Sequence, residues 1–322
     1  MTQSLSINSD RPWLAPLAGY SDLPFRLLCR EQGCNVAVTE MISAKGLIYN
    51  SPGTRELLQT CPEDTPLVVQ LFGSEESFLI QAIERLREAG FRHFDLNCGC
   101  PVRKVAKTGS GAALLKDPEY LLQLAKAMIM AAEPGCMGFK IRLGWHVGSP
   151  VFIPLAQRLE EMGAGWVTMH PRFGAQGFTG HADWSQLGLL KKSVRIPVIA
   201  SGDLFQAHDA VRCIEQTGVD CVMFARGALN DPSIFNQYLG LRNGGPTEHK
   251  TFRHMLALIH RLCDLYASHG MDRLGLLKMR TLVPRFLKGF PGARTLRREI
   301  VFCKTWDEVF SALQNTVTEM EE

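Results

Sequence analysis

The sequence predicts a TIM barrel, which is a closed ring of eight parallel strands with helical crossovers, followed by a small C-terminal all-helical domain. Three observations lead to this prediction. The chain has 322 residues, and a barrel of about 250 residues plus a modest addition fits within that length. Short β-rich segments recur eight times with helix-like segments between them. After residue 242 the strand pattern stops.

Eight segments have strand-like composition and are bounded by turn residues. They are residues 13–17, 36–40, 67–72, 93–97, 137–142, 166–170, 197–201 and 221–225. Gly33, Gly90, Gly165 and Gly218 stand just before four of them, where a helix that ends in a left-handed residue is expected. No G-x-G-x-x-G follows the first strand, so a closed barrel is favoured over a doubly wound dinucleotide-binding sheet.

One crossover helix can be derived residue by residue. Asp117 is a good N-cap, and Pro118 suits the first helical turn. Apolar residues then follow at i, i+3, i+4 and i+7, counted from Leu121. Pro134 is expected to end the helix.

The predicted domains are a barrel over residues 1–242 and a helical domain over residues 247–322, separated by the sequence Asn-Gly-Gly-Pro. The second domain contains eight Lys or Arg and no Asp or Glu between residues 273 and 298, although the net charge of the whole chain is only +3. Such a basic segment is either a solvated helix face or a nucleic-acid contact. The choice between them needs a second signal.

The composition excludes several classes of protein. A chain that is 46% hydrophobic and 21% charged folds rather than staying disordered. No apolar run approaches the roughly 20 residues of a membrane span, and the first ten residues do not resemble a signal peptide. We therefore expect a cytoplasmic monomer without a membrane partner. The ten cysteines include no C-x-x-C pair, so we expect reduced thiols and no metal site.

Polar residues accumulate where reactive groups lie in TIM barrels, at the C-terminal ends of the strands. Six of the predicted strands end in this way. The last two loops, Ser201-Gly202-Asp203 and Ala225-Arg226-Gly227, place glycines and an arginine where such barrels bind phosphate through backbone N–H groups. The pattern predicts an active site with a phosphorylated cofactor or substrate.

Several motifs occur in order between residues 12 and 240. They are APLAGYSD at 15–22, TEM at 39–41, VQL at 69–71, DLNCGCP at 95–101, GSGAALL at 109–115 and KIRLG at 140–144. Together they resemble the flavin-dependent tRNA-dihydrouridine synthases, and the DLNCGCP motif is the most specific of them. The helical tail is similar in size and place to that family's RNA-binding domain.

The resemblance implies a bound FMN across the barrel mouth and NADPH as its reductant. A cation at the pyrimidine edge of the ring, here Lys140, stabilises a reduced flavin anion. The positions that the resemblance assigns to FMN are Pro16, Leu17, Ala18, Gln70, Lys140, His170, Ser201, Gly202, Asp203, Ala225 and Arg226.

The resemblance also implies that a uridine of tRNA or another structured RNA leaves its stack and is read by Asn97 and Arg142. The resemblance further implies that hydride would pass from the flavin to C6 and that Cys100 would give the proton to C5. A thiol suits this role because an ordinary pKa of about 8.5 leaves it protonated yet able to release its proton. Cys98 is expected to pack. Further RNA contacts are expected from Lys104, Lys107, Lys278, Arg280, Arg285, Arg294, Arg297 and Arg298.

Four positions depart from the family pattern without removing a catalytic group, and they leave ribosomal RNA open as the target. These positions are Leu17, Pro171, Ser201 and Ala225. A dihydroorotate-dehydrogenase-like flavoenzyme acting on free pyrimidines would not need the basic tail. A non-catalytic RNA-binding protein would not need Cys100, Lys140 and Arg142 together.

Overall fold

The computed structural model describes residues 5–246, 250–291 and 293–321, with side chains as far as residue 315. Its parallel strands are β1 Trp13–Leu14, β2 Val36–Val38, β3 Ile42–Ser43, β4 Leu67–Phe72, β5 His93–Cys98, β6 Met137–Arg142, β7 Trp166–His170, β8 Val198–Ser201 and β9 Cys221–Phe224. The sheet closes because β2 pairs with β4 as well as with β1. The short β3 only extends the pairing along β4. The predicted TIM barrel of eight strands is therefore confirmed.

The helices follow the strands as crossovers and then continue alone. Around the barrel lie α1 Leu23–Glu31, α2 Ala44–Ile48, α3 Pro52–Leu57, α4 Glu76–Glu88, α5 Arg103–Ala106, the 3₁₀ turn Gly111–Lys116, α6 Pro118–Ala132, α7 Phe152–Glu161, α8 Ser185–Ser193, α9 Ala207–Thr217, α10 Arg226–Asn230 and α11 Ile234–Arg242. The C-terminal helices are α12 Phe252–Ser268, α13 Asp272–Phe286, α14 Ala293–Ile300 and α15 Trp306–Glu321. Residue 247, the predicted start of the second domain, lies outside the described residues.

Helix α6 forms as its sequence predicts. Asp117 caps it by accepting a hydrogen bond from the Tyr120 amide at 3.0 Å, and Pro118 occupies the first turn. The apolar positions counted from Leu121 are buried against the barrel. The helix ends at Ala132, because Glu133 has a φ of 78°.

Two local predictions need correction. Gly33, Gly90 and Gly218 have the expected positive φ, but Gly165 does not, and the left-handed residue of that turn is Gly163. Gly165 is required for another reason: a Cβ there would lie 2.3 Å from a backbone oxygen of Gly135. The first two strands are also shorter than predicted, since β1 ends at residue 14 and β2 at residue 38.

The barrel interior is closed at the amino ends of the strands. Trp13 and Trp166, near the starts of β1 and β7, meet there with ring centres 5.6 Å apart, in an apolar cluster with Ile199 and Met223. A second apolar cluster surrounds the barrel and continues without a break into α12–α15. Because the described residues pack this end, the opening that they leave for a ligand is at the carboxyl ends. The division near residues 242–247 remains a proposal.

Candidate active site

A cavity of about 260 Å³ opens at the carboxyl ends of the strands. It brings together most of the predicted site residues, which come from the carboxyl ends of six strands and the loops after them. Those that line it are Pro16, Leu17, Ala18, Asn97, Cys100, Lys140, Arg142, His170, Ser201, Gly202, Asp203, Ala225 and Arg226. A larger open depression of about 1310 Å³ lies at the other end of the barrel, around Leu67 and His93, and contains none of the predicted residues. The smaller cavity is therefore the candidate active site.

Gln70 lies beneath the cavity and does not line it. Its side chain is fully buried, donates to Asp95 at 2.7 Å and accepts from Asn97 at 2.8 Å. Asn97 in turn accepts hydrogen bonds from the backbone amides of Gly99 and Cys100, at 3.2 and 2.9 Å. Gln70 therefore orients Asn97, and Asn97 fixes the turn that carries Cys100.

Cys100 is half-buried at the cavity edge, whereas Cys98 is fully buried within β5. Burial raises the pKa of the Cys98 thiol well above its usual range. The Cys100 carbonyl accepts from the amide of Ala112 at 2.9 Å, and a Cβ on Gly111 would lie 2.7 Å from that carbonyl. The glycine-rich run 109–115 is thus packed against Cys100, which is the only one of the two thiols that faces the cavity.

Lys140 presents an ammonium to the cavity. Its Nζ makes no hydrogen bond or ion pair with any residue in the described part of the chain. Burial lowers its pKa to about 8, although the nearby Asp95 carboxyl acts in the opposite direction. A desolvated cation without a protein partner fits a site that is completed by an electron-rich ligand.

Arg142 is held in place almost entirely by backbone carbonyls. Its guanidinium donates to Gly99 at 2.7 Å, to Phe173 at 3.0 Å and to Gly177 at 2.6 Å. Only 1% of the residue is exposed, yet it lines the cavity. Its Nη2 donates to none of the residues that the structure describes, which leaves two N–H groups for a ligand.

Asp203 was predicted to bind the cofactor, but its carboxylate is already paired within the protein. It accepts from Arg172 at 2.7 Å and from Arg226 at 3.1 Å. Burial disfavours its charge, but the hydrogen bonds from Arg172 and from the Ala182 amide lower its pKa overall. The carboxylate therefore orients the two arginines, and Arg226 with the neighbouring backbone remains for an anionic group.

His170 is held as a neutral imidazole. Its Nε2 lies 2.9 Å from Nη1 of Arg172, and because a guanidinium only donates, Nε2 must accept and Nδ1 must carry the proton. Burial lowers the pKa of His170 strongly, and the surrounding Lys140, Arg142, Arg172 and Arg226 lower it further. Lys140, Arg142 and Arg226 line the cavity with one carboxylate, that of Asp203, while the Asp95 carboxyl lies beneath it. The cavity is therefore electropositive and fits a phosphate-bearing ligand.

Sequence reasoning missed Phe178, which lies at the cavity mouth and is 55% exposed. The guanidinium carbons of Arg142 and Arg226 each lie 5.3 Å from its ring centre. An exposed ring between two cations offers a stacking surface for a planar ligand. The only signal in the sequence was an aromatic residue between glycines in the loop after β7. Arg172 was recognised as a polar residue at the end of the same strand, but it was assigned no role.

The basic residues predicted to meet RNA fall into two groups. Lys104 and Lys107, beside Cys100, are exposed, as are Arg294, Arg297 and Arg298 on one face of α14. The other three contact the protein and are only partly exposed. Lys278 pairs with Asp22, Arg280 donates to the Cys303 carbonyl at 3.3 Å, and Arg285 lies over the Tyr20 ring.

The fold and the site define a TIM-barrel protein whose mouth is suited to an anionic, planar cofactor beside one thiol. The family model described as Dihydrouridine synthase (Dus) matches residues 13–321, and the chain belongs to this family. It is 33% identical over 299 residues to "Probable tRNA-dihydrouridine synthase 1" of Synechocystis sp., covering 92% of this chain and 83% of that protein. It is 32% identical to "tRNA-dihydrouridine synthase B" of Pseudomonas aeruginosa, covering 95% and 94% of the two chains.

Among solved structures, the fold is similar to that of the old yellow enzyme homologue from Zymomonas mobilis. The TM-score is 0.51 at 12% identity, and the match covers 78% of this chain and 95% of that one. This likeness concerns the fold alone.

Family membership confirms the resemblance drawn from the motifs and makes the chain a flavin-dependent oxidoreductase. Within residues 5–246, 250–291 and 293–321, no group of His, Cys, Asp or Glu is arranged to bind a metal ion. No helix in the same part of the chain is long and apolar enough to cross a membrane.

Proposed function

We propose that this protein uses FMN and NADPH to reduce the C5–C6 double bond of a uridine in tRNA, with Cys100 as the proton donor to C5. One observation carries the proposal: Asn97 fixes Cys100 at the edge of a cavity that also contains the unpartnered ammonium of Lys140. The tRNA substrate is supported by the printed names of the relatives.

The chain's own residues suit FMN at this site. Arg226 and the backbone of residues 201–203 would bind the phosphate, and Lys140 would lie at the edge of the ring that becomes anionic on reduction. Pro16, Leu17 and Ala18 would form the apolar floor. When bound, the flavin supplies the hydride that NADPH delivers to it and that uracil C6 receives.

The remaining residues would bind the base and donate the proton. A uridine must leave its stack to reach the cavity. Arg142 would then use its free Nη2 to hold a uracil oxygen, and Phe178 would offer its ring for stacking. The Cys100 thiol gives its proton to C5, which balances the hydride at C6, and the thiolate regains a proton from solvent.

We expect the purified protein to be yellow and to bind about one FMN per chain, because the fold offers a single mouth at its carboxyl ends. Absorbance and flavin extraction measure this directly. Lys140→Ala should lower the rate of reduction more than it lowers FMN affinity. Protein that never binds FMN, either as purified or after reconstitution, would refute the cofactor assignment.

The rate of flavin reduction by NADPH should fall as the pH rises through about 8 or slightly above. The lowered pKa of Lys140 leaves the ammonium charged below about pH 8 and neutral above it, and an anionic ligand shifts that pKa upwards. Lys140→Arg should remove this fall in rate, since a guanidinium stays charged over the whole pH range. A pH profile that is the same in both proteins would contradict the role of Lys140.

The exposed basic face of α14 favours RNA over a free pyrimidine as substrate. An enzyme that reduces free orotate or uracil would not need the exposed Arg294, Arg297 and Arg298. Turnover of free orotate or uracil without RNA would support the dihydroorotate-dehydrogenase-like alternative. Ribosomal RNA remains the alternative RNA target.

A further inference from the structure

The loop between β1 and α1, residues 15–22, forms the floor of the candidate site and is held at Gly19. Residues 15–18 line the cavity, and Gly19 follows with a φ of 80°. Both backbone groups of Gly19 have side-chain partners from elsewhere in the chain. Its amide donates to Oε2 of Glu40 at 2.5 Å, and its carbonyl accepts from Nζ of Lys278.

Lys278 comes from α13, in the C-terminal helices, and lies 259 positions away from Gly19 in the sequence. Its ammonium is 3.4 Å from Oδ2 of Asp22 and 3.8 Å from Oε1 of Glu40. The side chains are largely buried, with 14% of Lys278, 5% of Asp22 and 9% of Glu40 exposed. One cation thus contacts two carboxylates and a carbonyl. Its removal would leave the two buried carboxylates without an ion-pair partner among the described residues.

The same helix makes a second contact with this loop. The Arg285 guanidinium carbon lies 5.2 Å from the Tyr20 ring centre, and its Nη2 donates to the Tyr20 hydroxyl at 3.4 Å. The amides of Leu17, Tyr20 and Ser21 bond within the loop: that of Leu17 donates to the Ser21 hydroxyl, and those of Tyr20 and Ser21 donate to the Leu17 carbonyl. The loop is a compact turn whose external attachments at Gly19 are Glu40 and Lys278.

We propose that Lys278 is a positioning residue for the cofactor: its ammonium clamps the Gly19 turn against Glu40 and so links the C-terminal helices to the floor of the flavin site. That residues 15–18 support a bound flavin rests on the proposed function. The role assigned to Lys278 replaces the RNA contact expected from the sequence, because a cation that is enclosed by two carboxylates is not available to a phosphate.

The test compares Lys278→Met with Arg261→Met. Arg261 makes an ion pair with Glu31, at 2.6 Å, between the C-terminal helices and α1, but it does not touch the loop. Three quantities are measured: hydrogen exchange of the Gly19, Tyr20 and Ser21 amides in flavin-free protein, the FMN dissociation constant, and the salt slope of tRNA affinity. Lys278→Arg tests rescue.

Lys278→Met should speed exchange of the three amides and weaken FMN binding, each by about tenfold or more, while exchange in β5 and the salt slope stay unchanged. Arg261→Met should change neither the hydrogen exchange of the loop amides nor FMN affinity. Lys278→Arg should return both quantities to their wild-type values. If Lys278→Met does not fold, Lys278→Gln gives the same comparison with about a threefold effect.

Two results for Lys278→Met would together overturn the proposal: hydrogen exchange of the loop amides at the rate seen in Arg261→Met, and a salt slope of tRNA affinity that is lower by about 1. Lys278 would then be a phosphate contact. Failure of FMN to bind to any variant would count against the proposed function. The exchange measurement uses flavin-free protein, so it would still decide the role of Lys278.

Discussion

Replacing Cys100 with alanine is expected to slow the formation of reduced RNA at least about a hundredfold, the usual range for loss of a positioned general acid. The variant should keep its FMN and RNA binding, and NADPH should reduce its flavin at a near-normal rate. The reason is structural: the contacts of Cys100 with Asn97 and Ala112 use its backbone, so alanine preserves the turn. Single-turnover kinetics separate the two half-reactions.

Cys98→Ala is the matched control, because it changes a thiol two residues away that is buried and does not line the cavity. It should slow product formation much less than Cys100→Ala. Equal losses in the two variants would mean that this strand end tolerates no change and that no acid has been identified.

Replacing Arg294, Arg297 and Arg298 together with glutamine is expected to lower the salt slope of RNA affinity by about 2 to 3. The three side chains are exposed on one face of α14 and can follow a phosphate backbone. FMN content and NADPH oxidation should not change, since the face does not contribute to the cavity. Titration of RNA binding at several salt concentrations measures the slope.

A triple variant of Lys126, Lys192 and Arg195, which are exposed on the outside of the barrel, removes the same charge elsewhere. It should change the slope far less. An unaltered slope and unimpaired RNA turnover in the α14 variant would make that face a solvated surface and leave the RNA path to Arg103, Lys104 and Lys107.

The fold was predictable because each barrel strand can be recognised from its local sequence. Each strand is a short apolar segment between turn residues, and a helix such as α6 is specified by its own cap and spacing. Errors occurred where a residue's role depends on a distant backbone. Gly165, for example, is dictated by its close approach to Gly135 and not by its own φ.

Most of the predicted residues that line the cavity could be found from the sequence, but their contacts could not. Cys100, Lys140 and Arg142 follow strand ends, and parallel strands bring such ends together. The sequence could not show that the Asp203 carboxylate is occupied by two arginines or that Gln70 is covered by Asn97. It also could not distinguish Lys278 from the exposed arginines near it, because its partners belong to loops at the other end of the chain.

The central claim is most directly tested by mapping dihydrouridine in RNA from cells that lack this protein, with complementation by the wild-type chain or by Cys100→Ala. The account predicts that dihydrouridine disappears from specific tRNA positions, returns with the wild-type chain and does not return with Cys100→Ala. Loss confined to ribosomal RNA would correct the substrate to the alternative target. An unchanged dihydrouridine map in every RNA would contradict the account.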